Sequence, residues 1–220
     1  MKKYLLFIVC IFTLTSCEKN VIYSCNPEVN EWVQDNVQLI KKMDRTSWKK
    51  VTDIEKRAAI YVAFSPQQRK QFWIEKINEM LKMPFLPEEL THIKRLFYII
   101  EEYPYMFENE MIETEEQKEE RELVIQDWIQ TGISSFGWSE SFVADMVASG
   151  EELQLEGGTL KKTGTGPGSV DDNPERGTCN CDKDQFFPWC KFCENGTCNK
   201  QPTGCGFFLA YKCDGLCDGL

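Results

Sequence analysis

Two hundred and twenty residues with a formal charge of −10 bound the chain to one or two domains and exclude a protein that relies on a basic face for nucleic acid. The acidity is uneven: residues 18–176 hold 30 acidic against 19 basic side chains, whereas the tail from Gly177 holds five against four. The tail therefore also lacks the Lys/Arg-rich face of cationic membrane-active helices.

Residues 1–16 read as a processing segment rather than as structure. Lys2 and Lys3 precede an apolar run over 4–14, too short for a membrane-spanning helix and of signal-peptide length. It ends in Leu14-Thr15-Ser16-Cys17, which resembles the cleavage motif of bacterial lipoproteins. The resemblance implies cleavage before Cys17, lipidation of its thiol and a tether over 17–24, so that the chain is anchored to its own membrane, with the outer membrane the expected one. Acyl chains anchor by burying methylene groups at about 0.8 kcal/mol each. The bland reading is a plain secretory signal that happens to end near a cysteine.

From residue 25 to 150 the pattern is helical. Asn26-Pro27 reads as an N-cap with proline at the first helical position, followed by Val29, Trp32, Val33, Val37 and Ile40 on one face. A second helix is expected over 48–63. Ser65-Pro66-Gln67-Gln68 has the form of a capping box, in which each side chain satisfies the other's backbone amide. It leads to Trp73, Ile77, Met80 and Leu81. Pro87 opens a helix with Leu90, Ile93, Phe97 and Ile100. Thr114 and Gln117 form another capping box before Leu123, Val124, Trp128 and Ile129, and a last helix carries Phe142, Val143, Met146 and Val147. About five or six helices around one core follow from these stripes.

Residues 151–176 change character. Gly157-Gly158 and the run Gly164-Thr165-Gly166-Pro167-Gly168 predict a flexible linker, and Arg176-Gly177 at its end offers a possible cleavage point.

Residues 177–220 form the third part. Cysteines 179, 181, 190, 193, 198, 205, 213 and 217, that is Cys179, Cys181, Cys190, Cys193, Cys198, Cys205, Cys213 and Cys217, fall in 44 residues with no histidine. So short a segment buries too little apolar surface to fold unaided, and an exported protein meets an oxidising compartment. Four disulfides are expected, in any of about 105 pairings. Zinc is the alternative, through Cys190-x₂-Cys193 and a second pair, but the remaining gaps lack paired spacing. A redox-active Cys190-x₂-Cys193 site would want a βαβ frame that is missing here. Cys25 is left over, as an interchain bridge or an idle thiol. Between the cysteines stand seven aromatics, Phe186, Phe187, Trp189, Phe192, Phe207, Phe208 and Tyr211. With disulfides filling the interior, they are expected to form an apolar contact surface, although some would cover the sulfurs instead.

Cys179-x-Cys181, then Gly196-Thr197-Cys198, Pro202-Thr203-Gly204-Cys205-Gly206 and Tyr211 before Cys213 resemble the fulvocin C-related bacteriocin family. The likeness covers residues 177–220 and departs at Cys190-x₂-Cys193 and Cys213-x₃-Cys217, so no pairing is carried over. Ser65-Pro66-x-x-Arg69-x-x-x-Trp73 resembles the longer, lipoprotein-like members. The resemblance implies a non-enzymatic antibacterial effector acting on a target-cell membrane or envelope receptor, possible only if the tail reaches that target, by release or in place. The rival class is a surface binding or adhesion lipoprotein with a stapled tip. In a third reading the helical part masks the tail's aromatics until release.

Nothing in the helical part suggests catalysis, a metal or a cofactor. His92 has no nucleophile at helical reach and reads as a structural histidine. The acidic run Glu108, Glu110, Glu113, Glu115, Glu116, Glu119, Glu120 and Glu122 reads as a solvated helix start, favoured by the helix dipole.

Overall fold

The computed structural model describes residues 21–108, 113–162, 181–182, 192–194 and 200–218. Seven α-helices occupy the first part, one or two more than the apolar stripes suggest: α1 (Pro27–Ile40), α2 (Arg45–Lys49), α3 (Ile54–Ala63), α4 (Pro66–Met80), α5 (Pro87–Glu102), α6 (Glu115–Phe136) and α7 (Glu140–Val147). The extra element comes from the expected helix over 48–63, which is two. Asp44 caps α2 by accepting from Ser47 N, and Asp53 caps α3 by accepting from Lys56 N. A short acidic side chain that satisfies an orphan amide starts a new helix, and this second cap breaks the run after Lys49.

Elsewhere the caps are those the residues specify. Asn26 accepts from Glu28 N and Val29 N, and the boxes Ser65/Gln68 and Thr114/Gln117 are both closed. Gln68 does more than cap. Its Nε2 also donates to the carbonyls of Ile40 (2.9 Å) and Met43 (3.1 Å), tying the start of α4 to the end of α1. A 3-10 turn, Pro104–Phe107, follows α5 and buries Met106 and Phe107. In α6 the buried stripe is Arg121, Ile125, Trp128, Ile129 and Gly132, whereas Leu123, expected inside, is 61% exposed.

The first part of the linker expected over 151–176 is ordered structure instead. Leu155–Glu156 (β1) and Thr159–Leu160 (β2) pair across Gly157 and Gly158, whose φ values of 59° and 82° are those a tight hairpin turn needs. Leu153 is buried beside this hairpin, and Lys162 O accepts from Ser139 N and Oγ at the start of α7. Turn-forming glycines read as a linker because a hairpin and a flexible run share the same composition. Residues 163–176, with the candidate cleavage point Arg176-Gly177, lie outside the described residues.

Among its described residues the C-terminal part holds four short strands. Phe192–Glu194 (β3) pairs antiparallel with Leu216–Asp218 (β6), placing Cys193 opposite Cys217, and Gln201–Cys205 (β4) pairs with Tyr211–Cys213 (β5). Cys181 bridges to Gly215. Two disulfides are described, Cys181–Cys193 and Cys205–Cys213. No helix among the described residues is long and apolar enough to cross a membrane.

Candidate functional site: a stapled hairpin in the helical core

The candidate contact surface is where sequence and structure part. Phe207 and Phe208 are fully buried and Tyr211 is 1% exposed, and all three belong to the same apolar cluster as the helices. They form no outer patch. Phe186, Phe187 and Trp189 lie outside the described residues, as do Cys17, Cys179, Cys190 and Cys198; Phe192 and Cys217 are placed as strand backbone.

The hairpin that carries these rings is shaped from within. Cys205 and Cys213 are bonded across β4 and β5 with their Cα atoms 5.4 Å apart. Thr203 Oγ1 donates to Leu209 O at 2.6 Å. Gly204 and Gly206 take φ values of 121° and 68°, which side chains rarely adopt. The strands meet through a tight turn, Phe207–Leu209, in which Phe208 and Leu209 also have positive φ, 56° and 49°. Left-handed backbone costs a non-glycine residue about 1–2 kcal/mol, and two in succession persist only where surrounding packing holds them.

That packing comes from the helices. Phe208 stands 5.0 Å, ring to ring, from Trp73 of α4 and 6.1 Å from Phe107, and Phe207 packs edge-on to Trp128 of α6 at 5.9 Å. Tyr61 of α3 donates its hydroxyl proton to Phe208 O (2.8 Å) and accepts from Trp73 Nε1 (2.9 Å). A buried carbonyl in a strained turn thereby finds its partner, as buried backbone groups must. Burial raises the Tyr61 phenol, keeping it protonated and able to donate.

A second grip closes on Tyr211. Arg121, fully buried, donates from Nη1 to the Tyr211 oxygen and stacks over its ring at 5.0 Å, while Tyr211 donates to Glu122 Oε1 at 2.7 Å. Glu113 clamps the same guanidinium through Nη2 (2.7 Å) and Nε (3.1 Å). Two members of the expected solvated acidic run are thus largely buried, Glu113 and Glu122 having 9% and 18% of their side chains exposed. Their solvation is replaced by Arg121: a buried cation requires carboxylate partners. Burial works against the charge on Arg121, but Tyr211, Glu113 and Glu122 outweigh it and hold the guanidinium above its ordinary value. Trp73 is read in the sequence as a core residue of its helix, but Tyr61 and Arg121 are not singled out there; a lone arginine inside a run of glutamates is the one signal that could have found this cluster.

The remaining buried polar groups hold structure. His92 is 4% exposed, lies flat on Trp128 with ring centres 5.0 Å apart, and places Nε2 2.9 Å from Trp128 O, while Trp128 Nε1 donates to His92 O. Burial pushes its imidazole below the usual range, favouring the neutral ring that donates from Nε2. Glu89 accepts from Leu86 N, Trp138 Nε1 and Lys162 Nζ at 2.5–2.8 Å, joining α5 to the residue after β2. Lys76 Nζ donates to Asp145 O and Ser149 O, and burial lowers its ammonium well below the usual value. Among the described residues no group of side chains is arranged to hold a metal ion.

What fold and site define is a class: a helical protein whose core is completed by a disulfide-stapled C-terminal hairpin. No family model, curated protein or solved structure matches the chain at a significant level.

Proposed function

We propose that the chain is a lipid-anchored envelope protein, held by Cys17, that acts intact as a surface binding module rather than as an enzyme. The observation that supports this is the burial of Phe207, Phe208 and Tyr211 among the helices: the tail shares a core with the domain that carries it. Binding is favoured over catalysis because the polar groups with chemical potential, His92, Lys76, Glu89 and Arg121, are engaged by the fold itself. In this reading the stapled tail has four disulfides, the two described and two more among Cys179, Cys190, Cys198 and Cys217, and its outer face meets the ligand.

The fulvocin C-like effector is a second reading, favoured by the motif Pro202-Thr203-Gly204-Cys205-Gly206, which here forms β4 and the start of the turn. The intact chain would then be a masked form, since the rings that would engage a target envelope are the ones the helices cover. Mass spectrometry of producing cells and their medium separates the two. Only full-length lipidated protein in the membrane fraction supports the binding module; a peptide near 177–220 free in the medium, with inhibitory activity, overturns it in favour of the effector.

A further inference from the structure

We propose that residues 21–162 form a receptor for the chain's own C-terminal hairpin, residues 200–218, and hold it without needing the covalent connection between them. This does not depend on either functional reading above.

The contact has the layout of a protein–protein interface. Two aromatic anchors, Phe207 and Phe208, fill the centre and are fully buried; burial of aromatic anchors in fully desolvated pockets dominates binding energy. Polar grips stand to either side. On one, Tyr61 binds the backbone of the turn at Phe208 O; on the other, Arg121 and Glu122 bind the Tyr211 hydroxyl. Among the described residues no sheet joins the hairpin to residues 21–162: β4 pairs with β5, and β6 with β3 of the same tail. Side chains carry the contact, two of them bonding to backbone: Tyr61 to Phe208 O at 2.8 Å, and Gln201 Nε2 to Tyr23 O at 3.4 Å.

The hairpin is also prepared for that contact. Cys205–Cys213 and the Thr203-to-Leu209 bond close its ends. A ligand rigid in its bound shape gives up little conformational freedom on docking, which slows its escape. Cys205 and Cys213 are themselves 4% and 3% exposed, so the docked hairpin shields the staple that shapes it. A proteolytic cut between residues 163 and 180 therefore leaves the tail in place. The product is a two-chain particle, and detaching the tail takes a second event that draws out both phenylalanines.

The test uses the full chain, oxidised and folded, with a protease recognition sequence inserted between Thr165 and Gly166. After complete cutting, both fragments should elute together at the volume of the uncut protein and separate in denaturant without reductant. A tail that elutes alone under native conditions overturns the proposal. So does a pair that stays joined in non-reducing denaturant, because the link would then be covalent. Phe208→Ala should shorten retention by about 100-fold or more. Tyr61→Phe, which keeps the ring and removes one buried hydrogen bond, should shorten it by about 5- to 10-fold. Unaltered retention in Tyr61→Phe would show that the turn is held elsewhere.

Discussion

Truncating Phe208 to alanine should melt the helices, not only the tail. The side chain is fully buried between Trp73, Phe107 and Phe207, and removing a buried phenylalanine ring costs about 3–5 kcal/mol in lost transfer energy and residual cavity. Against a total stability of about 5–15 kcal/mol, that is a large fraction. For about 150–250 ordered residues it lowers Tm by roughly 6–20 °C. The backbone allows a sharper test. With φ 56° and ψ 21° at this position, alanine keeps the left-handed penalty while glycine relieves about 1–2 kcal/mol of it. Phe208→Gly should therefore be more stable than Phe208→Ala, reversing the usual order in which glycine is worse by about 0.5–1 kcal/mol. The assay is thermal denaturation followed by far-UV circular dichroism, which reports the helices and is nearly blind to a short hairpin. A Tm within about 2 °C of the parent in both variants would refute the claim that helices and hairpin share one core.

His92 is the only histidine, so proton NMR can follow it without assignment, and its midpoint should fall below the ordinary 6.5. Because the folded value is the lower one, its contribution to stability is complete above the unfolded pKa and is lost as pH falls through the folded one. Urea midpoints should therefore drop on acidification from neutral pH, and His92→Gln should flatten that slope. Gly132→Ala, at an interior helix position where alanine normally gains about 1 kcal/mol, should instead destabilise by about 1–3 kcal/mol, since a Cβ there lies 2.5 Å from Trp138 Cε3; a Tm rise would contradict the packing. Replacing Cys205 and Cys213 together by serine should cost about 2–3 kcal/mol in chemical denaturation. EDTA, by contrast, should leave the oxidised protein's melting curve unchanged, and a fall would revive a zinc-bound tail.

The helical elements were legible because their signals are local. Asn26, Ser65, Thr114 and Ser139 cap the helices they precede, each through a residue two to three positions on. Asp53 carries the same signal, accepting from Lys56 N, inside the stretch 48–63 expected as one helix. The tail was legible as stapled but not as placed. Hydrophobic period cannot tell whether Phe207 and Phe208 cover their own sulfurs, face outward or enter a neighbouring core, because that choice is made by partners far away in the chain. The bond from Tyr61 to Phe208 spans 147 residues. The same holds for Arg121, whose burial is explained only once Tyr211 stands beside it, 90 residues later.

That separation bears on how the molecule is made. The helices are synthesised first, yet Phe207, Phe208 and Tyr211, which complete their core, follow all seven of them in the chain. Contacts between distant segments form late, since the loop between them must close first. Until then Trp73, Phe107 and Trp128 lack the rings they pack against, and an incompletely packed core is open to proteolysis. A chain that stops before Phe207 never supplies those rings. The hairpin thus works as a late seal, and survival of the protein becomes a check that synthesis has passed Tyr211 and that Cys205 has found Cys213.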